Sequence, residues 1–194
     1  MPSRLLIKRP RGGMGPAVLV IHSWWGLTTS VSSYCQKLAN SGFVVGAADL
    51  FDGSTATTIA EALALRGKSR SKPFYRILEG NIQELLEDKH VNADKLGVIG
   101  FSMGGHWAVW LSQQPSLPVR SVVLYYAARA GNYTHANSGY LAHFAEADEW
   151  VKMTARRRME TEINRVGLSI ESFDYPGTRH WFAEEHHQNY HSVS

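Results

Sequence analysis

A serine between glycines, Gly100-Phe101-Ser102-Met103-Gly104, stands after an apolar run and before a stretch of helical character. At a strand-to-helix turn, a G-x-S-x-G segment makes a nucleophile elbow: the small flanking residues let the backbone turn sharply and expose the serine oxygen. The chemistry on offer is attack on an acyl carbon. A serine hydroxyl is a weak nucleophile at neutral pH, so a histidine must take its proton and an acid must orient that histidine. In sheets that carry this elbow the acid and then the histidine follow the serine in the chain. The histidines far enough beyond Ser102 to qualify are His135, His143, His180, His186, His187 and His191. His180 is best placed, because it follows a strand-like Ile170 to Tyr175 and the turn-forming Pro176-Gly177-Thr178-Arg179. For the acid, Asp148 lies just beyond the strand-like Tyr140 to Phe144, with Glu146 and Glu149 as its nearest rivals.

The elements that must position these groups follow from hydrophobic patterning. Continuous apolar runs at Ala17 to Ile21, Phe43 to Ala48, Leu96 to Gly100 and Ser121 to Tyr126 predict strands buried on both faces. Gly139 to Phe144 and Leu168 to Tyr175 predict two more. Between them, helical spacing is expected over Ser32 to Ser41, ending at Gly42, from Phe74 to before Asn92, from just after Ser102 to Ser112, and over Glu149 to Val166. Residues 53–67 open Ser/Thr-rich and continue through Ile59 and Leu63, Lys68 to Lys72 reads as a loop, and the tail from Trp181 as helical. Alternating strands and helices predict a doubly wound, mostly parallel α/β sheet flanked by helices, with functional residues beyond the carboxyl ends of the strands.

The length of 194 residues suits one domain, 1–194, with a single core. Net charge is +3, with nine Lys/Arg against three Asp/Glu in residues 1–72. The basic residues are scattered and not interleaved with aromatics, so they read as solvated surface and no nucleic-acid partner is expected. Cys35 is the one cysteine, which rules out an intrachain disulfide and fits a reducing compartment. With neither a secretory h-region nor the roughly 20 apolar residues of a membrane span, a cytoplasmic chain with no membrane partner is the expectation. No P-loop, dinucleotide glycine pattern or zinc-ligand spacing is present; no cofactor and no metal are expected.

The sequence resembles the dienelactone hydrolase family of α/β-hydrolases, from about Ala17 to the end. The segment Val20-Ile21-His22-Ser23-Trp24-Trp25-Gly26-Leu27 is similar to the family's first loop. Gly100 to Gly105 is similar to its elbow, and Tyr175-Pro176-Gly177-Thr178-Arg179-His180-Trp181-Phe182 to its histidine loop. Phe144 to Val151 is similar to the acid loop, where an Asp precedes a residue, an aromatic and Val, and this match selects Asp148. The resemblance implies the α/β-hydrolase fold and an enzyme, a carboxylic ester hydrolase. Where dienelactone-opening members carry a cysteine nucleophile and an activating glutamate, this chain carries Ser102 and Ser23. Gly53 and Glu184 stand where the resemblance would place carboxylate-gripping arginines.

The expected chemistry is cleavage of a small ester or lactone by a Ser102–His180–Asp148 triad through an acyl-enzyme. The oxyanion would be held by the backbone amides of Met103 and Trp24. Ser23 and Trp25 are candidate substrate-binding residues, although Trp25 fits core packing equally well. His22 and His106 read as structural histidines, Asp49 as a loop-fixing carboxylate, Arg156-Arg157-Arg158 as a solvated helix face, and His186, His187 and His191 as surface residues. The alternative from another class is a non-enzymatic small-ligand-binding protein on the same fold.

Overall fold

The computed structural model describes residues 4–68 and 73–192, in two compact units divided between Leu96 and Gly97. The first contains β1 (Arg4–Lys8), β2 (Gly15–Ile21), α1 (Thr29–Asn40), β3 (Val44–Asp49), α2 (Ile59–Lys68) and α3 (Phe74–Leu86). Strand β4 (Val91–Phe101) runs through the division, and the second unit continues with α4 (Met103–Ser112), β5 (Val119–Tyr125), β6 (Gly139–Ala147), α5 (Met153–Arg165) and β7 (Ile170–Arg179).

In the first unit the strand order is β1-β3-β2, with β2 parallel to β3 from Ala17 opposite Val44 to Ile21 opposite Ala48. All six residues of β3 are buried, as an unbroken apolar run requires of a strand covered on both faces. Helix α1 buries Val31, Cys35 and Ala39, one ridge at i, i+4 and i+8. Gly42, with φ of +102°, turns the chain from α1 into β3. Helix α3 buries Phe74, Leu78, Ile82 and Leu85. Helix α2 starts at a reciprocal capping box, in which Thr58 Oγ1 accepts the Glu61 amide and the Glu61 carboxylate accepts the Thr58 amide, both at 3.2 Å. Its Ile59 and Leu63 are about half exposed. Of the loop expected from Lys68 to Lys72, Lys68 ends α2 and 69–72 lie outside the described residues.

Strand β1 has no counterpart in the sequence reading. It pairs antiparallel with β3, from Arg4 opposite Asp49 to Lys8 opposite Val45. It holds only three apolar residues, Leu5 to Ile7, between basic ones, the composition of a short edge strand guarded by charge.

In the second unit the order is β4-β5-β6-β7, and β5–β6 and β6–β7 are parallel. Several expected boundaries move: β4 starts at Val91 and not at Leu96, β6 runs on to Ala147 and not only to Phe144, and three further changes bear on the site. Strand β7 does not end at Tyr175: Ala145 faces Tyr175 and Ala147 faces Arg179, so extra residues bulge on β7, with Gly177 at φ of +73°. Helix α5 begins at Met153 and not at Glu149, because Asp148 accepts the amides of Trp150 and Val151 and holds that segment as a turn. Residues 181–192 form successive turns with no helix, closed by bonds three residues apart such as Glu184 N–H to Trp181 O and His187 N–H to Glu184 O.

The arginine triplet is not uniformly solvated. Arg156 lies over the Phe144 ring, 4.2 Å from its centroid, and reaches Glu160 and Asp174. Arg157 is exposed, and Arg158 pairs with Glu162 at the surface. Among the described residues no helix is long and apolar enough to cross a membrane.

Candidate active site

The elbow is built from strain and close approach. Ser102 sits at φ of 49° and ψ of −111° between β4 and α4, a conformation that an L-residue rarely adopts. Its own N–H donates to Tyr125 O at 2.9 Å, and its carbonyl accepts His106 N–H at 3.2 Å. A Cβ on Gly100 would lie 2.3 Å from the Gly104 carbonyl oxygen, and one on Gly105 would lie 2.4 Å from Ala127 Cβ. Those two glycines are therefore fixed by the tightness of the turn. Met103 opens α4, where the first amides have no intrahelical acceptor and the positive end of the helix dipole points outward.

The sequence-predicted Ser102, His180 and Asp148 come together. Ser102 Oγ is 2.8 Å from His180 Nε2, and His180 Nδ1 is 2.9 and 2.8 Å from the two carboxylate oxygens of Asp148. An ionised carboxylate can only accept, so Nδ1–H donates to Asp148 and Nε2 is left to accept the serine proton. The histidine and aspartate side chains are 2% and 6% exposed, which strengthens their interaction relative to water.

The histidine is held from several sides. Its carbonyl accepts Asn189 Nδ2–H at 2.9 Å, and its ring meets those of Tyr126 and Trp181 with centroids 4.8 and 4.7 Å away. Half-exposed Trp150 stands 6.3 Å from the His180 ring and 5.5 Å from Trp181. Tyr126, fully buried, donates its hydroxyl to Glu184 Oε1 at 3.0 Å; burial first, then the nearby Glu184 charge, push the Tyr126 phenol well above its ordinary value. Tyr126 and Asn189 had no signal in the sequence, since their partners are distant in the chain.

The rival acids are otherwise placed. Glu146 accepts Gly177 N–H at 2.9 Å and so steadies the bulge of β7, while Glu149 is exposed. Among the other histidines, His143 stacks between Tyr125 and Phe173 and bonds Tyr175, and burial lowers its pKa. His187 lies against Trp181, and burial, then His186 and His180, bring it down to about 4. His106 is exposed and accepts from Arg129. Among the described residues no three His, Cys, Asp or Glu side chains are grouped to hold a metal.

In the first unit, Ser23 is fully buried, and Trp24 and Trp25 are 6% and 2% exposed with their rings edge to face at 5.7 Å. The Trp25 carbonyl accepts Ala56 N–H at 2.9 Å. Gly26, at φ of +89°, lets this loop pass Ser54, whose carbonyl oxygen a Cβ would meet at 2.4 Å. His22 is structural: Nε2 accepts Leu50 N–H at 3.0 Å, Nδ1 donates to Ser23 O, and burial lowers its pKa. Asp49 fixes its loop by accepting the amides of Phe51 and Gly53. Gly53 turns at φ of +82°.

A model described as the dienelactone hydrolase family matches residues 4–194. The chain belongs to this family. Members of the dienelactone hydrolase family are hydrolases of the ester and lactone type, and this chain is one of them. A protein of Aquifex aeolicus (strain VF5) provisionally named carboxymethylenebutenolidase is 28% identical over 180 residues, 88% of this chain and 78% of the relative. Protein usf of Aquifex pyrophilus is 29% identical over 188 residues, 92% and 81% of the two chains. A crystal structure from Klebsiella pneumoniae, provisionally described as a dienelactone hydrolase, superposes with a TM-score of 0.81 at 19% identity over 98% of this chain and 87% of that one. That likeness shows the α/β-hydrolase fold over nearly the whole chain.

Proposed function

We propose that the protein is a single-domain serine hydrolase that cleaves a small ester or lactone through an acyl-enzyme. His180 deprotonates Ser102 as it attacks the carbonyl carbon, and Asp148 fixes the imidazole tautomer and stabilises the imidazolium that forms. The alkoxide or enolate leaves with the proton returned by His180; in a lactone it stays tethered to the acyl group. Water, deprotonated by the same histidine, then releases the acid. The developing oxyanion is met by the Met103 amide, with the Trp24 amide of the loop after the first apolar strand as the second donor; losing one such donor costs on the order of 3 kcal/mol in the transition state. Ser23 and Trp25 remain the candidates for contact with the substrate.

The observation that carries this reading is the unbroken hydrogen-bond chain from the strained Ser102 through His180 to buried Asp148. Strain of this kind persists where the surroundings over-determine it, and it gathers at reactive sites. The relatives' names support the ester and lactone class. The serine nucleophile needs no further carboxylate beside it, and Ser23 supplies none.

The test is hydrolysis of short p-nitrophenyl esters by the wild-type chain and by Ser102→Ala, Asp148→Asn and His180→Ala, with circular dichroism verifying each fold. Turnover by the wild type and loss of orders of magnitude in all three variants is the expected result. Stoichiometric binding without turnover would favour the ligand-binding alternative.

A further inference from the structure

We propose that Tyr126 and Glu184 are positioning residues that hold His180 in register with Ser102, by tying the histidine turn to the end of β5. The inference rests on the triad reading above and deepens it.

Two residues with left-handed backbones flank the site. Trp181, directly after the histidine, has φ of 69°, and Tyr126, directly after β5, has φ of 41°. Neither aromatic residue adopts such a conformation cheaply, and each stays only where neighbours enforce it. On the β5 side, enforcement comes from the Tyr126 N–H, which donates to His143 O at 2.7 Å, and from the ring, which packs edge-on against Phe182 at 5.3 Å. On the histidine side, the turn 180–184 closes through Phe182 N–H to Arg179 O at 3.2 Å and Glu184 N–H to Trp181 O at 3.0 Å.

Those local bonds shape the turn without fixing where it stands. The Tyr126 hydroxyl to Glu184 Oε1 bond joins the two strained segments directly. Both side chains are buried, Glu184 at 1% and Tyr126 at 0% exposure, so removing either group takes a buried hydrogen bond from the other. The other Glu184 oxygen faces His186 Nε2 at 4.0 Å. Between its backbone and its hydroxyl, Tyr126 presents the face that meets the His180 ring at 4.8 Å and 56°. One side chain thus anchors the turn at Glu184 and buttresses the imidazole it carries. Asp148 sets the tautomer, and Tyr126 with Glu184 sets the place.

The experiment compares Tyr126→Phe, Glu184→Gln, Glu184→Met and the double variant Tyr126→Phe/Glu184→Met, with Tyr133→Phe as control. The control also loses a buried tyrosine hydroxyl bond, to Arg129 O, and leaves the rate unchanged. Two quantities are read: the acylation burst with p-nitrophenyl acetate, and the downfield proton resonance of His180 Nδ1–H in the substrate-free protein. Tyr126→Phe and Glu184→Met are expected to slow acylation by about 10- to 100-fold with KM unchanged, and to broaden the Nδ1–H line. Glu184→Gln, whose amide oxygen can still accept from Tyr126, retains both. The double variant, which removes the buried carboxylate together with the hydroxyl that donates to it, recovers melting temperature but not rate.

A folded Tyr126→Phe that acylates at the wild-type rate with a sharp line overturns the proposal. So does a double variant whose rate returns with its stability. If the wild type itself gives no Ser102-dependent burst, the triad reading fails; the resonance then decides the positioning claim alone, a line unchanged in Tyr126→Phe overturning it.

Discussion

The carboxylate of Asp148 serves two masters: both oxygens lie within 2.9 Å of His180 Nδ1, while Oδ1 also accepts the amides of Trp150 and Val151 at 2.8 and 2.9 Å. In Asp148→Asn the side-chain oxygen can keep the amide bonds, so the loop should hold. The new NH2 must then face His180 Nδ1 and force it to accept, which moves the ring proton to Nε2 against Ser102. The expected outcome is a folded protein whose kcat falls about 10⁴-fold, as a wrong tautomer costs in the serine triad. Steady-state ester hydrolysis beside near-ultraviolet circular dichroism reads both.

Ser102 carries its φ of 49° whatever its side chain does, so activity and stability can be separated there. Ser102→Ala keeps a Cβ and keeps the strain. Ser102→Gly relieves it and should be more stable than Ser102→Ala by about 1 kcal/mol, with both inactive. Urea unfolding of the two variants checks this, and equal midpoints would contradict the strain assignment.

Much of this site could be read from the sequence, because the elbow glycines, the serine and the histidine loop are local patterns. The apolar runs at Ala17 to Ile21 and Phe43 to Ala48 mark buried strands by composition alone. What could not be read depends on partners distant in the chain. Nothing in Leu5-Leu6-Ile7 announces an edge strand until β3 is there to pair with it. Pro176-Gly177 reads as a turn, yet Glu146 accepts the Gly177 amide across from β6 and the strand continues to Arg179. The tail from Trp181 has no glycine or proline to rule out a helix, but its bonds close turn by turn and its side chains are drawn to His180 and Tyr126. Arg156 reads as surface from its neighbours; only the ring of Phe144 beneath it makes it part of the packing.

Arg156 therefore differs from the two arginines after it. Its side chain is 12% exposed, lies over Phe144 and joins Glu160 and Asp174, whereas that of Arg158 is 71% exposed. Arg156→Ala should destabilise by about 2 kcal/mol through lost cation–π contact and packing of the stem. Arg158→Ala should cost less than about 0.5 kcal/mol. Paired denaturation curves measure the difference, and equal losses would refute the distinction.

In the first unit, the Arg9 guanidinium hydrogen-bonded to Asp88, aided by His90, holds the Asp88 carboxyl well below the usual carboxylate range. A depressed carboxyl stabilises the fold above its unfolded pKa of about 3.9, and the contribution is lost as pH falls toward the folded value. Asp88→Asn should thus unfold at lower urea than wild type near neutral pH, with the gap narrowing once pH drops below about 4. A gap constant down to about pH 2 would count against the pairing.

Trapping the acyl-enzyme shows whether Ser102 is the nucleophile of an ester-cleaving triad. The protein is mixed with p-nitrophenyl acetate, quenched in acid during the burst, and peptide-mapped by mass spectrometry. One acetyl group per chain is expected on Ser102, formed at a rate that collapses in His180→Ala and absent from Ser102→Ala. Turnover without that adduct in the burst, or an acetyl group carried on another residue and undiminished in Ser102→Ala, would contradict it.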